Sequence, residues 1–146
     1  MIRIANVDDL KQYVLAAKSF YESTGRTKFN EEAFISSWTR VIGLGAGFVI
    51  GRFSNDGPPL EAIGVLLYPD PFEGTSCAST GFWYVNGNNN GLADGLLFVA
   101  LMEELVRRGV GHFYFAVLHD ERMHKVITFL DKGGFVAVET NYRKDL

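Results

Sequence analysis

Residues 86–95 read NGNNNGLADG, a stretch with almost nothing that can pack. A β-branched and aromatic run precedes it and a long apolar, periodic run follows, so it sits where a strand feeds a helix. The first turn of a helix carries backbone N–H groups without partners, and its dipole adds partial positive charge there. Gly87 and Gly91 let backbone pass close to a ligand, asparagine tolerates the left-handed conformations such a loop uses, and Gly95 falls one turn further on. That is a site for an anion, best suited to phosphate or pyrophosphate. The alternative from these ten residues is a solvated loop with asparagine caps. Asp94 competes with an anion for the same dipole unless it caps locally. Other reactive residue types are sparse. Cys77 has no histidine partner identifiable from sequence and reads as a small core residue. In HDERMH (119–124) the two histidines are five apart rather than at i, i+4, with no further ligand evident, so no metal site is expected.

The elements that must position these groups follow from local signals. IRIA (2–5) alternates as a strand, and Asp8 or Asp9 is placed to cap a helix with Leu10, Tyr13, Val14, Ala17 and Phe20 at helical spacing. STGRTK (23–28) breaks it. Asn30 is placed to cap a second helix with Phe34, Trp38 and Val41 on one face. Strands are expected at 48–53, 62–68 and 76–85, with a loop at 68–74 before the third. The helix at 92–108 presents Phe98, Leu101, Met102, Leu105 and Val106 as its apolar face, with Glu104, Arg107 and Arg108 opposite, and Gly109 ends it. A strand at 112–118, a helix at 121–132 and a strand at 135–140 complete the chain. The order β-α-α-β-β-β-α-β-α-β predicts an α/β (α+β) fold. Its sheet is mixed and mostly antiparallel, with helices on both faces and one parallel pair, 76–85 beside 112–118, joined by a right-handed crossover.

Composition narrows the class. The chain has 146 residues, 47% hydrophobic and 21% charged, which suits one globular domain over 1–146. A net charge of −3 gives no overall attraction to nucleic acid or an anionic membrane. MIRIANVDDLK lacks the build of a signal peptide, no apolar run reaches the roughly 18 residues of a membrane span, and a lone cysteine fits a reducing cytosol. A cytoplasmic protein is expected.

In its whole-chain order the sequence resembles the GNAT (Gcn5-related N-acetyltransferase) superfamily, whose signature at this junction is Arg/Gln-x-x-Gly-x-Gly/Ala. Here it reads NNNGLA, with Asn88 in the Arg/Gln place, Gly91 as the glycine and Ala93 as the small residue. EELVRRGVGHFYFAV and FLDKGGF look like the superfamily's next two elements. FYESTGRTKFNEEAF, GFWYV and VETNYRKDL look most like GNAT-like proteins carried by phages.

The resemblance implies acetyl-coenzyme A as co-substrate and an amine, on a small molecule or a protein, as acceptor, with no metal. A homodimer is left open. It assigns backbone around Trp83, Tyr84 and Val85 to the pantetheine arm, and Asn88, Asn89, Asn90, Gly91, Leu92, Ala93 and Asp94 to the pyrophosphate. Acetyl transfer also needs a base for the ammonium and a donor for the leaving thiolate. Glu22 ranks first as base, Asp70 and Glu73 second, and His119 is a further candidate because imidazole is the side chain that exchanges protons near neutrality. The superfamily often places an asparagine and a proton-donating tyrosine in its last helix, where this chain has Met123 and Leu130. Tyr84 or Tyr142 is then the candidate donor. Two classes of function follow: an N-acetyltransferase, or a GNAT-fold protein that has lost catalysis and serves as a binding or structural component, for instance in a phage particle.

Overall fold

A computed structural model describes residues 1–86 and 95–146. Asn6 opens the first helical stretch. Its side chain accepts from the Asp9 N–H at 3.1 Å, while the Asp9 carboxylate accepts from the Asn6 N–H at 3.0 Å. This reciprocal capping box makes Asn6 the cap in place of Asp8 or Asp9, because Asp9 is needed three residues on to close the pair. The segment Val7–Tyr13 is 3-10 and continues as α1, Val14–Ser23. Helix α2, Glu31–Gly43, starts as expected from Asn30, whose side chain accepts from the Ala33 N–H at 2.8 Å.

Five strands form one sheet in the order β1 (Ile2–Ile4), β2 (Gly47–Arg52), β3 (Glu61–Pro69), β4 (Ser76–Val85), β5 (Val110–Tyr114). The first three pairings are antiparallel, and β4–β5 is parallel as predicted. Between them runs α3, described over Leu96–Arg107, with Gly95 at φ 63° as its N-cap. The expected start of that helix, at 92–94, lies outside the described residues.

Alternation along the strands divides the apolar residues between two helical layers. Val49, Ala62 and Phe82 join Leu10, Tyr13, Ala16 and Trp38 in one core under the first two helices. On the other face lie Phe48, against the Arg108 guanidinium at 4.4 Å, and Trp83, against Phe115, which in turn meets Phe98 of α3. Helices therefore cover both faces.

The rotation of α3 differs from expectation. Leu97, Phe98, Leu101, Glu104 and Leu105 are buried, whereas Val106 is 73% exposed. Glu104 can take an inward place because Arg107 and Arg108 bind its carboxylate at 2.5–2.8 Å, so no bare charge is buried. The C-terminal elements differ as well. β5 ends at Tyr114 rather than 118, the last helix, α4, spans Met123–Lys132 rather than 121–132, and residues 135–140 form no strand. Alternating side chains make a segment competent for a strand, but a strand exists only with a ladder partner, and 135–140 pairs with none among the described residues.

The chain falls into two compact units, Met1–Ala116 and Val117–Leu146. The first holds the whole sheet with α1, α2 and α3; the second holds α4.

Candidate functional site

Strands β4 and β5 run side by side from Ser76↔Val110 to Ser79↔Tyr114 and then part. Beyond that ladder the Ala116 N–H donates to Thr80 Oγ1 at 2.9 Å. On its other edge β4 stays paired with β3 to its end, and the Asn86 N–H donates onward to the Leu60 carbonyl at 2.9 Å. In an antiparallel ladder alternate residues turn their backbone groups to alternate sides. Phe82 and Tyr84 thus face β3, and the N–H and C=O groups of Trp83 and Val85 face the side from which β5 has diverged. A β-bulge sets this phase: Gly64 pairs with Phe82 and Val65 with Thr80, leaving Gly81 as the extra residue.

Over the bulge lies Trp38 of α2. A Cβ on Gly81 would stand 2.9 Å from Trp38 Cζ2, and one on Gly64 would stand 2.8 Å from Trp38 Cη2 and collide with the Phe82 ring. Both glycines are needed for the ring to reach the sheet, where it meets Phe82 edge-on at 5.3 Å and 88°.

Trp38 and Phe82 also wall an aromatic cleft between the α1–α2 connection and β4. Tyr21, Phe29 and Phe34 complete it, ring on ring at 5.7–6.1 Å. It has two adjoining lobes, of about 350 and 140 Å³; Lys28, Asn30 and Ser37 line the outer, Arg26 and Gly81 the inner. The Arg26 guanidinium stacks 4.3 Å over the Tyr21 ring. Polar groups at the rim of an aromatic pocket can orient a small polar ligand, and the inner lobe reaches the point where β4 bulges.

The residues singled out from sequence are dispersed. Trp83 is 4% exposed, its ring 5.5 Å from Phe115, and Val85 is half-buried. Tyr84 is half-buried and packs on the core beneath the first two helices. Glu22 is exposed, 3.8 Å from Lys18; its neighbour Tyr21 is the residue that lines the cleft. His119 and Tyr142 are exposed and belong to the second unit, as do Met123, half-buried, and Leu130, 7% exposed. Asn88, Asn89, Asn90, Gly91, Leu92, Ala93 and Asp94 lie outside the described residues. Sequence reasoning took Phe34 and Trp38 as core and missed the cleft. The signal available was a pair of basic residues, Arg26 and Lys28, set among aromatics at a helix break.

Asp70 and Glu73 are at the far end of the sheet. They sit before Ser76, while the parting lies beyond Thr80, and the five residue steps from Ser76 to Gly81 span roughly 17 Å. There Asp70 Oδ1 accepts from the N–H groups of Phe72 (2.7 Å) and Glu73 (2.9 Å), which hold the carboxyl below its ordinary pKa. Cys77 Sγ lies 3.6 Å from Asp70 Oδ2, and His112 Nε2 lies 2.9 Å from Glu73 Oε2. Burial pushes the Cys77 thiol up, and Asp70 adds to this.

No family model and no curated protein matches the sequence. Solved structures match its fold over the whole length. A Clostridium acetobutylicum protein described as a predicted acetyltransferase with acetyl-CoA superposes with TM-score 0.77 at 13% identity, over 99% of this chain and 95% of its own. A ribosomal-protein-alanine N-acetyltransferase of Brucella melitensis gives 0.71 at 13%, over 100% and 99%. An acetyltransferase of Trypanosoma brucei gives 0.72 at 16%, over 100% and 99%.

Proposed function

We propose that this chain, which has the fold of the GNAT acetyltransferases, moves an acetyl group from acetyl-coenzyme A to an amine of a small molecule or a protein, in the cytoplasm and without nucleic acid or membrane. The observation that carries this reading is the parting of β4 from β5 after Ser79↔Tyr114, directly before the glycine-rich stretch. An extended pantetheine arm fits the backbone groups that Trp83 and Val85 turn to that side. The pyrophosphate is assigned to backbone N–H groups of 88–94. The aromatic cleft over Gly81 is the side from which an acceptor would approach.

In the reaction the neutral amine attacks the thioester carbonyl carbon, the C–N bond forms, the C–S bond breaks, and the thiolate leaves. Positioning the two reactants contributes most where few groups are built for proton transfer. Glu22 and His119 are the proposed bases and Tyr84 the proposed donor to sulfur. Leu130 supports a second reading, a protein of this fold without catalysis, since a leucine stands where the superfamily often has its donor.

Titration calorimetry with acetyl-coenzyme A, then with desulfo-coenzyme A, tests the binding half. Thiol release in the presence of amines tests the catalytic half. Gly91→Val should abolish binding with an unchanged circular dichroism spectrum, by crowding the phosphate. Asn88→Arg should tighten it by roughly 1–3 kcal/mol, more at low salt. Absence of coenzyme A binding by the wild-type chain overturns the acetyltransferase reading; binding without thiol release selects the second.

A further inference from the structure

We propose that Asp70, Glu73, Cys77 and His112 form a binding site for one divalent transition-metal ion of the zinc type. The four come from three elements: the β3–β4 connection, the start of β4, and β5. The parallel register sets Cys77 opposite His112. One donor atom each of Asp70, Glu73 and His112 already lies within 4.8 Å of the others. The thiol adjoins this trio through Asp70, its Sγ 3.6 Å from Asp70 Oδ2.

In a tetrahedral site with metal–O and metal–N bonds of about 2.0–2.1 Å and a metal–S bond of about 2.3 Å, neighbouring donors stand about 3.3–3.6 Å apart. The sulfur–oxygen separation matches that spacing. Glu73 and His112 are exposed, which leaves their side chains room to rotate toward the thiol. Asp70 is held for the role: its Oδ1 is occupied by two backbone N–H groups, which leaves Oδ2 turned to the thiol.

The observation independent of the carboxylates is the thiol itself. Cys77 is 1% exposed, and its Sγ lies beside the Asp70 carboxylate. A bound dication would take the thiol as the thiolate, its proton passing to solvent. Sulfur and imidazole together favour zinc or cobalt over magnesium or calcium. The ion would tie the 70–75 connection to β5 at the end of the sheet opposite the one where β4 and β5 part. The inference does not depend on acetyl transfer.

The test is titration of the chelator-stripped full chain with Co²⁺, followed by absorbance. Expected are one equivalent bound, the visible bands of tetrahedral cobalt, a near-ultraviolet thiolate charge-transfer band, and displacement by Zn²⁺. Cys77→Ser should remove the charge-transfer band, and His112→Gln should weaken binding roughly tenfold or more. A double His119→Ala, His124→Ala variant should bind as wild type. The proposal is overturned if the wild type binds no stoichiometric Co²⁺, or if the double variant loses the spectrum. An unchanged spectrum in His112→Gln overturns it too, and because that ring is exposed the result stands even if Cys77→Ser does not fold.

Discussion

Glu104 shows how far a residue's role depends on what folds against it. Its type and its arginine neighbours were plain in the sequence, and an outward-facing charge was the natural reading. The buried face, however, runs through Leu97, Leu101, Glu104 and Leu105, with Arg108 laid over Phe48. Nothing local distinguishes a glutamate held inward by two arginines from one in water. Glu104→Ala should therefore cost about 1–3 kcal/mol in urea denaturation, because it strips Arg108 of its partner. The hydrogen bond from Arg107, then that from Arg108, holds the Glu104 carboxyl below its ordinary 4.5. A lowered folded value contributes stability above the unfolded pKa and loses it as pH falls. The advantage of wild type over Glu104→Gln should be constant near neutrality and shrink below pH 4.5. Tyr13 works in the opposite direction. Burial pushes its hydroxyl up to about 12 from 10.0, so stability should drop as pH rises across that interval, where the unfolded chain ionises first. Tyr13→Phe keeps the ring and should flatten this alkaline limb of the stability curve.

At the scale of elements, order was more legible than rotation or pairing. Caps, glycine stops and period-two runs are local, so Asn30, Gly109 and the three central strands could be recognised one by one. The turn of α3 about its axis depends on the sheet beneath it, and the fate of 135–140 depends on whether a ladder partner is available. Those are non-local facts. The observed rotation predicts that Leu101→Ala and Leu105→Ala each cost roughly 2–5 kcal/mol, while Val106→Ala stays within about 0.5 kcal/mol. Thermal or urea unfolding of the three variants measures the difference, and equal losses at 105 and 106 would mean the helix is turned. Gly64→Ala is a second probe of packing between elements. The added methyl meets Trp38 and Phe82 together, so it should cost about 1–3 kcal/mol and shift tryptophan emission to the red.

For the molecule as a whole, the anion-binding half of the proposed site could be put forward from sequence because it is one contiguous stretch, NGNNNGLADG, most of which lies outside the described residues. The cleft could not, since Tyr21, Phe34 and Phe82 converge only when α1, α2 and β4 are assembled. If acetyl-coenzyme A binds the native chain and not the unfolded one, a concentration of 100 times Kd should add about 2.7 kcal/mol. For a chain of this size that is a rise in Tm of roughly 5–10 °C, absent in Gly91→Val. Gly81 gives β4 a built-in parity. Before it, odd-numbered Ser79 lies across from Leu66 on the side of the first two helices; after it, even-numbered Phe82 and Tyr84 take that side. Losing the codon for residue 81 would remove the extra residue itself, so Thr80 and Phe82 would alternate regularly and every side chain of β4 would keep its face, whereas a residue lost at 83 would send Tyr84 toward Phe115. The chain should tolerate a lost residue among the exposed positions 54–58, whose turn has no face to keep, far better than at 83. Sequences that share this architecture are thus free to vary in length between strands, but within β4 they can lose one residue only at the bulge, unless the core on both sides of the sheet is rewritten with it.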